Sequence, residues 1–454
     1  MNPQVFREYD IRGVVERDFD DAFVTDLGRA WATMLVRAGA RTVTLGRDCR
    51  LSSDHLRALL LEGVIECGIN ILDIGVVPTP LLYFSVSHWK MDGGGMITGS
   101  HNSAEYNGFK LGVGNSTIFG EKIQELRQLI ERRDFVTSAT RGTVTDRPVG
   151  PDYREFILSK FKFNRRFKVI VDGGNGCGGV VAAPLMRAAG LEVEGLNIEM
   201  DGRFPNHHPD PTVVENMREL IAAMKRGGAL VGIAYDGDAD RIGAVDENGR
   251  IVWGDELMVA YSRAILAERP GATIIGDIKC SDRLYDDVRR NGGRPIMWKT
   301  GHSLIKSKLR EEHAALAGEM SGHMFFADRY YGFDDAIYAS FRLLEILDRT
   351  GKGLAELLAD LPRTAVTPEI RVDCPDDRKF EIVEQAAKYF RAHYEVIDTD
   401  GVRVRFPNGW GLVRASNTQP ALVTRFEARD DAALAEIRAV FDERLRILGA
   451  ITDG

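Results

Sequence analysis

The chain has 454 residues, of which 44% are hydrophobic and 28% charged, and its formal net charge is −8. This length predicts about two to four domains, and the acidic balance argues against a general polyanion binder such as a nucleic-acid-binding protein. The five cysteines form no CxxC pair, which is typical of reduced thiols rather than of a zinc site or a disulfide framework. No apolar run approaches the roughly 18 residues of a membrane span, and the first residues resemble no signal segment. We therefore expect a cytoplasmic protein with no membrane partner.

Strand-like and helix-like segments alternate along most of the chain. Residues 42–45 form a short β-branched run, 53–67 repeat apolar residues at helical spacing, and 69–74 again indicate a strand. Further short buried strands are expected at residues 168–171, 230–235 and 273–275. This alternation predicts α/β layers in which helices cover mixed sheets.

The end of the chain has a different order of elements, with a helix around 381–393, strands around 402–406 and 422–426, and a helix to 448. This order predicts a small α+β domain. The polar stretch 138–151 is typical of a linker. Further breaks are expected near 249–254 and 361–368. We therefore predict four domains, with the boundaries 1–148, 149–250, 251–366 and 367–454.

Ser100 lies in the segment TGSHN (98–102), which follows three consecutive glycines. This composition predicts a loop in which backbone amides can approach a phosphate. Serine is a poor nucleophile without a base, a metal or prior phosphorylation. Taken alone, the segment is better interpreted as an ordinary turn.

Asp236, Asp238 and Asp240 directly follow the apolar run 230–235. Three carboxylates at alternate positions at a strand end can converge on one hard cation, and Mg²⁺ leaves room for a phosphate oxygen beside them. An EF-hand is disfavoured because its later glutamate is missing. A solvated acidic turn is the alternative, but Arg241 supplies a bidentate phosphate donor beside the carboxylates and favours the metal site.

Three further segments indicate a functional site less strongly. GEMSGH (318–323) and KTGH (299–302) are ordinary loops when each is considered alone, while RASNT (414–418) has the composition of a phosphate cradle. The glycine-rich stretch 171–179 follows a strand and precedes a helix, but its spacing is not GxGxxG. We interpret it as a structural turn rather than a dinucleotide loop.

The serine loop (98–102), the aspartate segment (236–241), GEMSGH and RASNT occur in this order. Together with YDIRG (9–13), KTGH and NGFK (107–110), they resemble the α-D-phosphohexomutases, most closely the bacterial phosphomannomutase/phosphoglucomutase group. The resemblance spans essentially the whole chain. It implies three related mixed-sheet α/β domains and a smaller C-terminal α+β domain around a central cleft. It also implies a reversible interconversion of hexose 1-phosphate and hexose 6-phosphate, of mannose or glucose, through a phosphoserine enzyme and a hexose 1,6-bisphosphate.

The resemblance also assigns roles to residues. The metal Mg²⁺ would be held by Ser100, through its phosphate, and by Asp236, Asp238 and Asp240. The catalytic group would contain Arg12, Ser100, His101, Lys110, Arg241 and His302. The substrate-binding group would contain Tyr9, Lys279, Glu319, Ser321, His323, Arg414, Ser416, Asn417, Thr418 and Arg425. Hexose 1,6-bisphosphate would serve as activator, the enzyme would be a monomer, and either Lys110 or His302 would be the general base.

One position departs from the family, because Ser103 stands where proline is usual, and the loss of proline's fixed φ could loosen the serine loop. Three alternatives stay open. A phosphoglucosamine mutase is disfavoured because such members tend to carry glutamine at the position of Met320. An aspartate-nucleophile phosphatase would need Thr or Val where Asp240 stands. A non-catalytic phosphosugar-binding protein would not need every chemical group found here.

Overall fold

The computed structural model describes residues 2–417 and 420–450 and arranges them around four β-sheets. The strands of the first sheet are β1 (Ile11–Val14), β2 (Thr42–Arg47), β3 (Asn70–Val76), β4 (Gly94–Ile97), β5 (Tyr106–Val113), β6 (Ser116–Thr117) and β7 (Val144–Asp146). Their order is β1-β5-β4-β2-β3-β7, and β6 pairs with β5. The accompanying helices are α1 (Val15–Asp18), α2 (Asp21–Arg37), α3 (Ser53–Glu66), α4 (Thr79–His88) and α5 (Glu121–Arg132).

The second and third sheets follow in the chain. The second contains α6 (Gly150–Lys160), β8 (Lys168–Asp172), α7 (Gly179–Ala188), β9 (Glu192–Leu196), α8 (Arg218–Lys225), β10 (Ala229–Tyr235), β11 (Ile242–Val245) and β12 (Ile251–Val252). The third contains α9 (Gly254–Glu268), β13 (Thr273–Asp277), α10 (Asp282–Arg290), β14 (Arg294–Trp298), α11 (His302–Glu311), β15 (Leu316–Gly318), β16 (Met324–Phe326), α12 (Ala336–Thr350) and α13 (Leu354–Leu357). Their strand orders are β12-β11-β10-β8-β9 and β14-β13-β15-β16.

The fourth sheet is antiparallel in every described pairing. Its elements are β17 (Ala365–Val366), β18 (Ile370–Asp373), α14 (Lys379–His393), β19 (Val396–Ile397), β20 (Val402–Phe406), β21 (Gly409–Ala415), β22 (Ala421–Ala428) and α15 (Asp431–Ile447). The order is β17-β22-β21-β20-β19, and β18 pairs with β22.

The first three sheets share one arrangement of four strands, in which three parallel strands are followed by an antiparallel one. These sets are β3-β2-β4 with β5, β9-β8-β10 with β11, and β14-β13-β15 with β16. In each set the chain leaves the third parallel strand at its carboxyl end and returns in the antiparallel strand. Ligands of open α/β sheets bind outside the carboxyl ends of the strands. The three turns at these ends are residues 98–105, 236–241 and 319–323.

The buried side chains distinguish the fourth domain from the others. One hydrophobic cluster joins the first three domains, with Leu82, Tyr235 and Phe326 among its members. The fourth domain has a separate cluster, centred on the stacked rings of Phe390 and Phe441. The first three domains therefore share one buried cluster. The first and the fourth domains also have clusters of their own, and Ile278 packs with Trp410 and Leu412 where the third domain meets the fourth.

The predicted fold class, three mixed-sheet α/β domains and a C-terminal α+β domain, is confirmed. Every strand and helix that the sequence predicted is present within a few residues. The stretch 138–151 is not only a linker, because β7 lies within it and pairs with β3. β17 lies in the fourth sheet although the predicted third domain runs to residue 366; the domain boundaries stay predictions. Among the described residues, no helix combines the length and apolar character needed to cross a membrane.

Candidate active site

A cleft with a cavity volume of about 370 Å³ lies where the three turns meet the loop between β21 and β22. Fifteen of the residues predicted from the sequence line it. They are Tyr9, Arg12, Ser100, His101, Lys110, Asp240, Arg241, Lys279, His302, Glu319, Ser321, His323, Arg414, Ser416 and Asn417. Residues far apart in the sequence are thus gathered around one space of the size of a small ligand.

Ser100 is buried, and its hydroxyl is directed at the second domain. Its Oγ donates a hydrogen bond of 2.9 Å to Oδ2 of Asp236 and lies 3.2 Å from Nδ1 of His101. Its backbone has φ of +49°, and its N–H donates to Oγ1 of Thr98 at 2.8 Å. A left-handed conformation costs a non-glycine residue roughly 1–3 kcal/mol and persists only where the surroundings hold it. The chain therefore fixes this hydroxyl in a costly but definite orientation.

The three aspartates of the second turn can hold a metal ion. Ligand oxygens of Asp236, Asp238 and Asp240 all lie within 4.8 Å of one another, and the three side chains are buried. Oδ1 of Asp238 has no hydrogen-bond partner among the described residues. A buried carboxylate oxygen without a donor is unfavourable, and a bound cation relieves it. The donor set, which contains only oxygens, fits a hard cation such as Mg²⁺.

Lys110 reaches this cluster from β5. Its Nζ lies 2.8 Å from Oδ2 of Asp238 and 2.5 Å from Oδ2 of Asp240. Burial opposes the charged form, but the two carboxylates outweigh it and hold the pKa of Lys110 well above its usual value. Burial, followed by the charges of Asp240 and Asp238, raises the pKa of Asp236. One lysine thus offsets only part of the negative charge that three aspartates concentrate here.

His302 is the first residue of α11 and borders the cleft. The preceding Gly301 has φ of +132°, and a Cβ there would lie 2.4 Å from the ring of Tyr9. Burial, and then the charges of Lys306 and Lys110, lower the pKa of His302 well below 6.5. Its Nδ1 has no hydrogen-bond partner among the described residues. The ring is therefore neutral at neutral pH and keeps one nitrogen lone pair.

The third turn carries a charged pair. His323 lies between two carboxylates, with Nδ1 at 2.7 Å from Oε2 of Glu319 and Nε2 at 3.2 Å from Oδ1 of Asp240. Burial alone would lower the pKa of His323, but these carboxylates raise it to about 9. Burial would raise the pKa of Glu319, but His323 and Lys279 hold it at about 2. His323 is therefore a cation at neutral pH and links the second and third turns.

The fourth domain closes one side of the cleft. Nε of Arg414 lies 2.9 Å from Oδ2 of Asp400, and Nδ2 of Asn417 donates to the hydroxyl of Tyr9 at 2.7 Å. That hydroxyl donates in turn to the carbonyl of Thr300 at 2.8 Å. Tyr9 therefore connects the first, third and fourth domains at the mouth of the cleft.

Three of the predicted residues that the structure describes stand outside this lining. Asp236 and Asp238 lie behind the cleft surface, where they contact Ser100 and Lys110. Arg425 is buried away from the cleft, bonded to the carbonyl of Lys279 and paired with Asp255 at 3.2 Å, so its expected contact with phosphate stays a prediction. Thr418 lies outside the described residues.

The sequence did not single out Glu369 and Arg371, which line the cleft from the start of the fourth domain. Oε2 of Glu369 accepts a bond of 3.0 Å from Nζ of Lys279. In the sequence, the two residues are opposite charges at alternate positions beside a predicted domain break. This pattern does not identify a binding site, because many surface strands share it. Only the folded arrangement identifies them as cleft residues.

Comparisons with known proteins agree with this geometry. Four family models match in succession: phosphoglucomutase/phosphomannomutase alpha/beta/alpha domain I at residues 3–137, domain II at 151–249, domain III at 253–365, and the C-terminal domain at 369–444. Together they cover most of the chain in the order in which the four sheets occur.

Individual relatives match over nearly their whole length. A phosphomannomutase/phosphoglucomutase of Pseudomonas putida is 45% identical over 97% of this chain and 95% of its own. A phosphoglucomutase of Neisseria gonorrhoeae is 43% identical over 96% of this chain and 95% of its own. The crystal structure of a phosphoglucomutase/phosphomannomutase family protein from Burkholderia thailandensis is 42% identical, covers 98% of both chains and superposes with a TM-score of 0.91.

Proposed function

The chain belongs to the phosphoglucomutase/phosphomannomutase family and is an enzyme that transfers phosphate within a hexose phosphate, and we propose that Ser100 carries the phosphoryl group in that transfer. The substrates are the 1- and 6-phosphates of mannose and of glucose, and a hexose 1,6-bisphosphate is the intermediate and activator. The family's relatives include proteins named for both sugars, which supports dual specificity.

One observation carries the proposal. Ser100 bonds to Asp236 and Lys110 bonds to Asp238 and Asp240, although these groups come from two domains, and ligand oxygens of the three aspartates lie within 4.8 Å of one another beside one cleft. Phosphoryl transfer requires in-line geometry and neutralisation of the phosphate oxygens more than it requires covalent help. A fixed oxygen beside a metal-binding carboxylate cluster and two cations, Lys110 and Arg241, supplies both.

In the first half-reaction, phospho-Ser100 donates its phosphoryl group to the free hydroxyl of the sugar. The bond between phosphorus and Ser100 Oγ breaks while a bond between phosphorus and the sugar oxygen forms. We assign His302 as the base that takes the hydroxyl proton, because its ring is neutral and lines the cleft, while its buried Nδ1 lies 3.7 Å from Oδ2 of Asp334. His101, whose pKa is lowered by burial and by Arg241 and Arg12, lies 3.2 Å from Ser100 Oγ and gives the leaving oxygen its proton. In the second transfer His101 takes that proton back, and His302 returns its proton to the sugar oxygen.

Asp236, Asp238 and Asp240 would hold Mg²⁺ together with an oxygen of the Ser100 phosphate. When bound, this ion supplies positive charge that stabilises the transferring phosphoryl oxygens. Lys110, fully charged beside Asp238 and Asp240, adds to this neutralisation and orients the two carboxylates. Arg241 lines the same part of the cleft and can contact phosphate as a fork.

The bisphosphate then turns end for end and returns its other phosphate to Ser100. Both orientations must bind, so the distal site needs firm contacts to phosphate and looser contacts to the sugar. The firm contacts to phosphate come from the guanidinium and small polar groups that line the distal end of the cleft, on Arg414, Ser416 and Asn417. Glu319 and Ser321 provide the looser contacts to the sugar from the third turn. A rotation of the fourth domain, which has its own core, would admit substrate and then exclude water.

The test begins with the intact mass and peptide map of the purified protein after incubation with glucose 1,6-bisphosphate and Mg²⁺, with Ser100→Ala as the control. Coupled assays on mannose 1-phosphate, glucose 1-phosphate and glucosamine 1-phosphate follow. We expect one phosphate on Ser100 and turnover of the first two sugars. Phosphate on Ser100 with turnover of glucosamine phosphate alone would reassign the substrate. Absence of any label on Ser100 would overturn the proposal and direct attention to Asp236.

We also propose that the enzyme works as a cytoplasmic monomer. Residues of one chain surround the cleft on all the sides described, and all five cysteines are free thiols. Light scattering on a size-exclusion column should give a mass near 50.4 kDa. A mass near twice that value, independent of concentration, would contradict the monomer.

A further inference from the structure

Arg50 lies directly beneath the serine loop, with its side chain fully buried. Its Nη2 donates to the carbonyls of Ser100 at 2.8 Å and Asn102 at 2.6 Å. Its Nη1 donates to the carbonyls of Ser103 at 2.5 Å and Tyr106 at 3.0 Å. One guanidinium group thus donates to four backbone oxygens, three in the serine loop and one at the first residue of β5. Its planar fork of donors allows this, and a lysine ammonium does not.

Asp48 holds Arg50 from the other side. Its Oδ2 accepts from Nε of Arg50 at 3.0 Å and from the N–H of Gly99 at 3.1 Å. Its Oδ1 accepts from the N–H of Arg50 at 3.0 Å and from the hydroxyl of Ser53 at 2.7 Å. The loop is therefore fixed at an amide by Asp48 and at its carbonyls by Arg50.

Two further contacts show that the loop is shaped around this side chain. A Cβ at Gly99 would lie 2.6 Å from Cζ of Arg50, so glycine is required directly before Ser100. From the second domain, the ring of Phe204 lies over the guanidinium with Cζ 4.9 Å from its centroid. Arg50 is thus packed between the serine loop and the domain that carries the aspartates.

This arrangement accounts for two properties of the loop that its local sequence does not. Ser100 has a costly left-handed backbone, and the loop lacks the stiffening that proline would give at position 103. Ser103 instead presents its carbonyl to Arg50, and its hydroxyl donates to Oε1 of Glu105 at 2.6 Å. Bonds from outside the loop replace the restriction that proline would supply from within.

We propose that Arg50 is a positioning residue for the transfer reaction: it holds the backbone of the Ser100 loop so that the phosphoserine faces the sugar hydroxyl in line. This role rests on the proposed function of Ser100. Arg50 touches no substrate, because it does not line the cleft. Its effect is on the geometry of the reacting group, where a displacement of about 1 Å can reduce the rate roughly 100-fold.

The experiment compares Arg50→Lys with Arg57→Lys in the full-length protein. Arg57 is the matched control because it lies in the same domain and pairs with a buried aspartate, Asp73, away from the cleft. For each protein we would measure kcat and KM on glucose 1-phosphate. We would also measure the rate at which phospho-Ser100, formed with glucose 1,6-bisphosphate, loses its phosphate to water.

We expect kcat of Arg50→Lys to fall about 100-fold with KM changed less than about twofold. The ratio of hydrolysis to sugar transfer should rise about tenfold, because a loose loop disfavours the ordered transfer more than attack by water. A purely structural loss of active enzyme would lower both rates equally and leave this ratio unchanged. Kinetics equal to those of Arg57→Lys, or an unchanged ratio, would overturn the proposal.

Hydrogen exchange in the unmodified protein supplies a second measurement that does not depend on the folding of a variant. The amides of Gly99 and Asn102 should exchange as slowly as those of β4. Exchange as fast as in the exposed stretch 138–141 would overturn the positioning role. If Ser100 of the unmodified protein accepts no phosphate at all, the proposed function itself fails; if it does and Arg50→Lys behaves like the control, only the role of Arg50 fails.

Discussion

The hydroxyl of Ser100 donates a hydrogen bond of 2.9 Å to Oδ2 of Asp236, although the two residues lie in different domains and 136 positions apart. This bond joins the turn after β4 to the turn after β10, which occupy equivalent positions in two similar sheets. The proposed phosphate carrier and the proposed metal ligands are therefore in contact before any ligand arrives.

Replacement of Asp236 by asparagine should stabilise the metal-free protein. Burial and the charges of Asp240 and Asp238 raise the pKa of Asp236 above 3.8, so the folded protein binds this proton more tightly than the unfolded chain. Metal-free stability is therefore lost as the pH rises from about 4 through the raised pKa. Asp236→Asn should remove this loss.

Thermal unfolding in EDTA between pH 5 and 8 checks this expectation. The control is Asp54→Asn, which alters an exposed aspartate paired with Arg47. Added Mg²⁺ should raise the melting temperature of the unmodified protein more than that of Asp236→Asn. A lower metal-free melting temperature for Asp236→Asn at pH 8 would contradict the repulsion described here.

The assignment of His302 as base predicts a particular pH profile. Its pKa lies below 6.5 because it is buried beside Lys306 and Lys110, so its ring is already neutral at pH 6.5. The kcat should therefore stay level from pH 8 down to 6.5 and fall only below that value. His302→Asn should lower kcat by about 10²- to 10⁴-fold and abolish the acidic limb.

The control for this profile is His55→Asn, because His55 is exposed and pairs with Asp21 away from the cleft. Steady-state rates with saturating glucose 1-phosphate and glucose 1,6-bisphosphate suffice. An acidic limb that survives in His302→Asn would show that another group takes the proton.

Tyr9→Phe should weaken the contact of the fourth domain with the other domains. The variant removes the hydroxyl that accepts from Asn417 and donates to Thr300, two bonds worth about 0.5–1.5 kcal/mol each. We expect KM for glucose 1-phosphate to rise about tenfold, with a smaller change in kcat. Small-angle scattering with saturating substrate should show a larger radius for Tyr9→Phe than for Tyr389→Phe, a variant in α14. Equal profiles and equal KM values would rule out this closing role.

Arg414→Lys should reduce phosphate affinity. Asp400 holds Nε of Arg414 at 2.9 Å and leaves the two terminal nitrogens to contact phosphate as a fork. Lysine keeps the charge but loses the paired bonds, about 1.5–3 kcal/mol, so KM should rise roughly 10- to 100-fold. The exposed Arg429→Lys is the control. Unchanged KM with reduced kcat would place Arg414 at the reacting end instead.

Much of the fold could be predicted because its elements are short and locally encoded. The strand of β10 is an uninterrupted apolar run, and α3 repeats its apolar residues at helical spacing. β7 was not predicted from the sequence, because it is an edge strand of three exposed residues in a polar stretch and has no apolar pattern. β17, with two residues, left no pattern either.

The site was predicted unevenly for a similar reason. Ser100 and the three aspartates lie in short segments that each contain several functional residues. The order of these segments along the chain carries the family resemblance. Glu369, Arg371 and Arg50 stand in no motif that the sequence singled out. The main partners of Glu369 and Arg50 lie 50 or more positions away, Lys279 for Glu369 and the serine loop for most of the bonds of Arg50.

The sequence by itself determined the chemical groups of this protein: a serine in a small-residue loop, a carboxylate cluster, cations and two histidines. Only the tertiary structure decided their charge and their partners. Burial beside Lys306 makes His302 neutral, while the carboxylates of Glu319 and Asp240 overcome the effect of burial and make His323 a cation. The physical reason is that pKa and orientation depend on desolvation and on charges a few ångströms away, and three sheets of one pattern bring those charges together from distant parts of the chain.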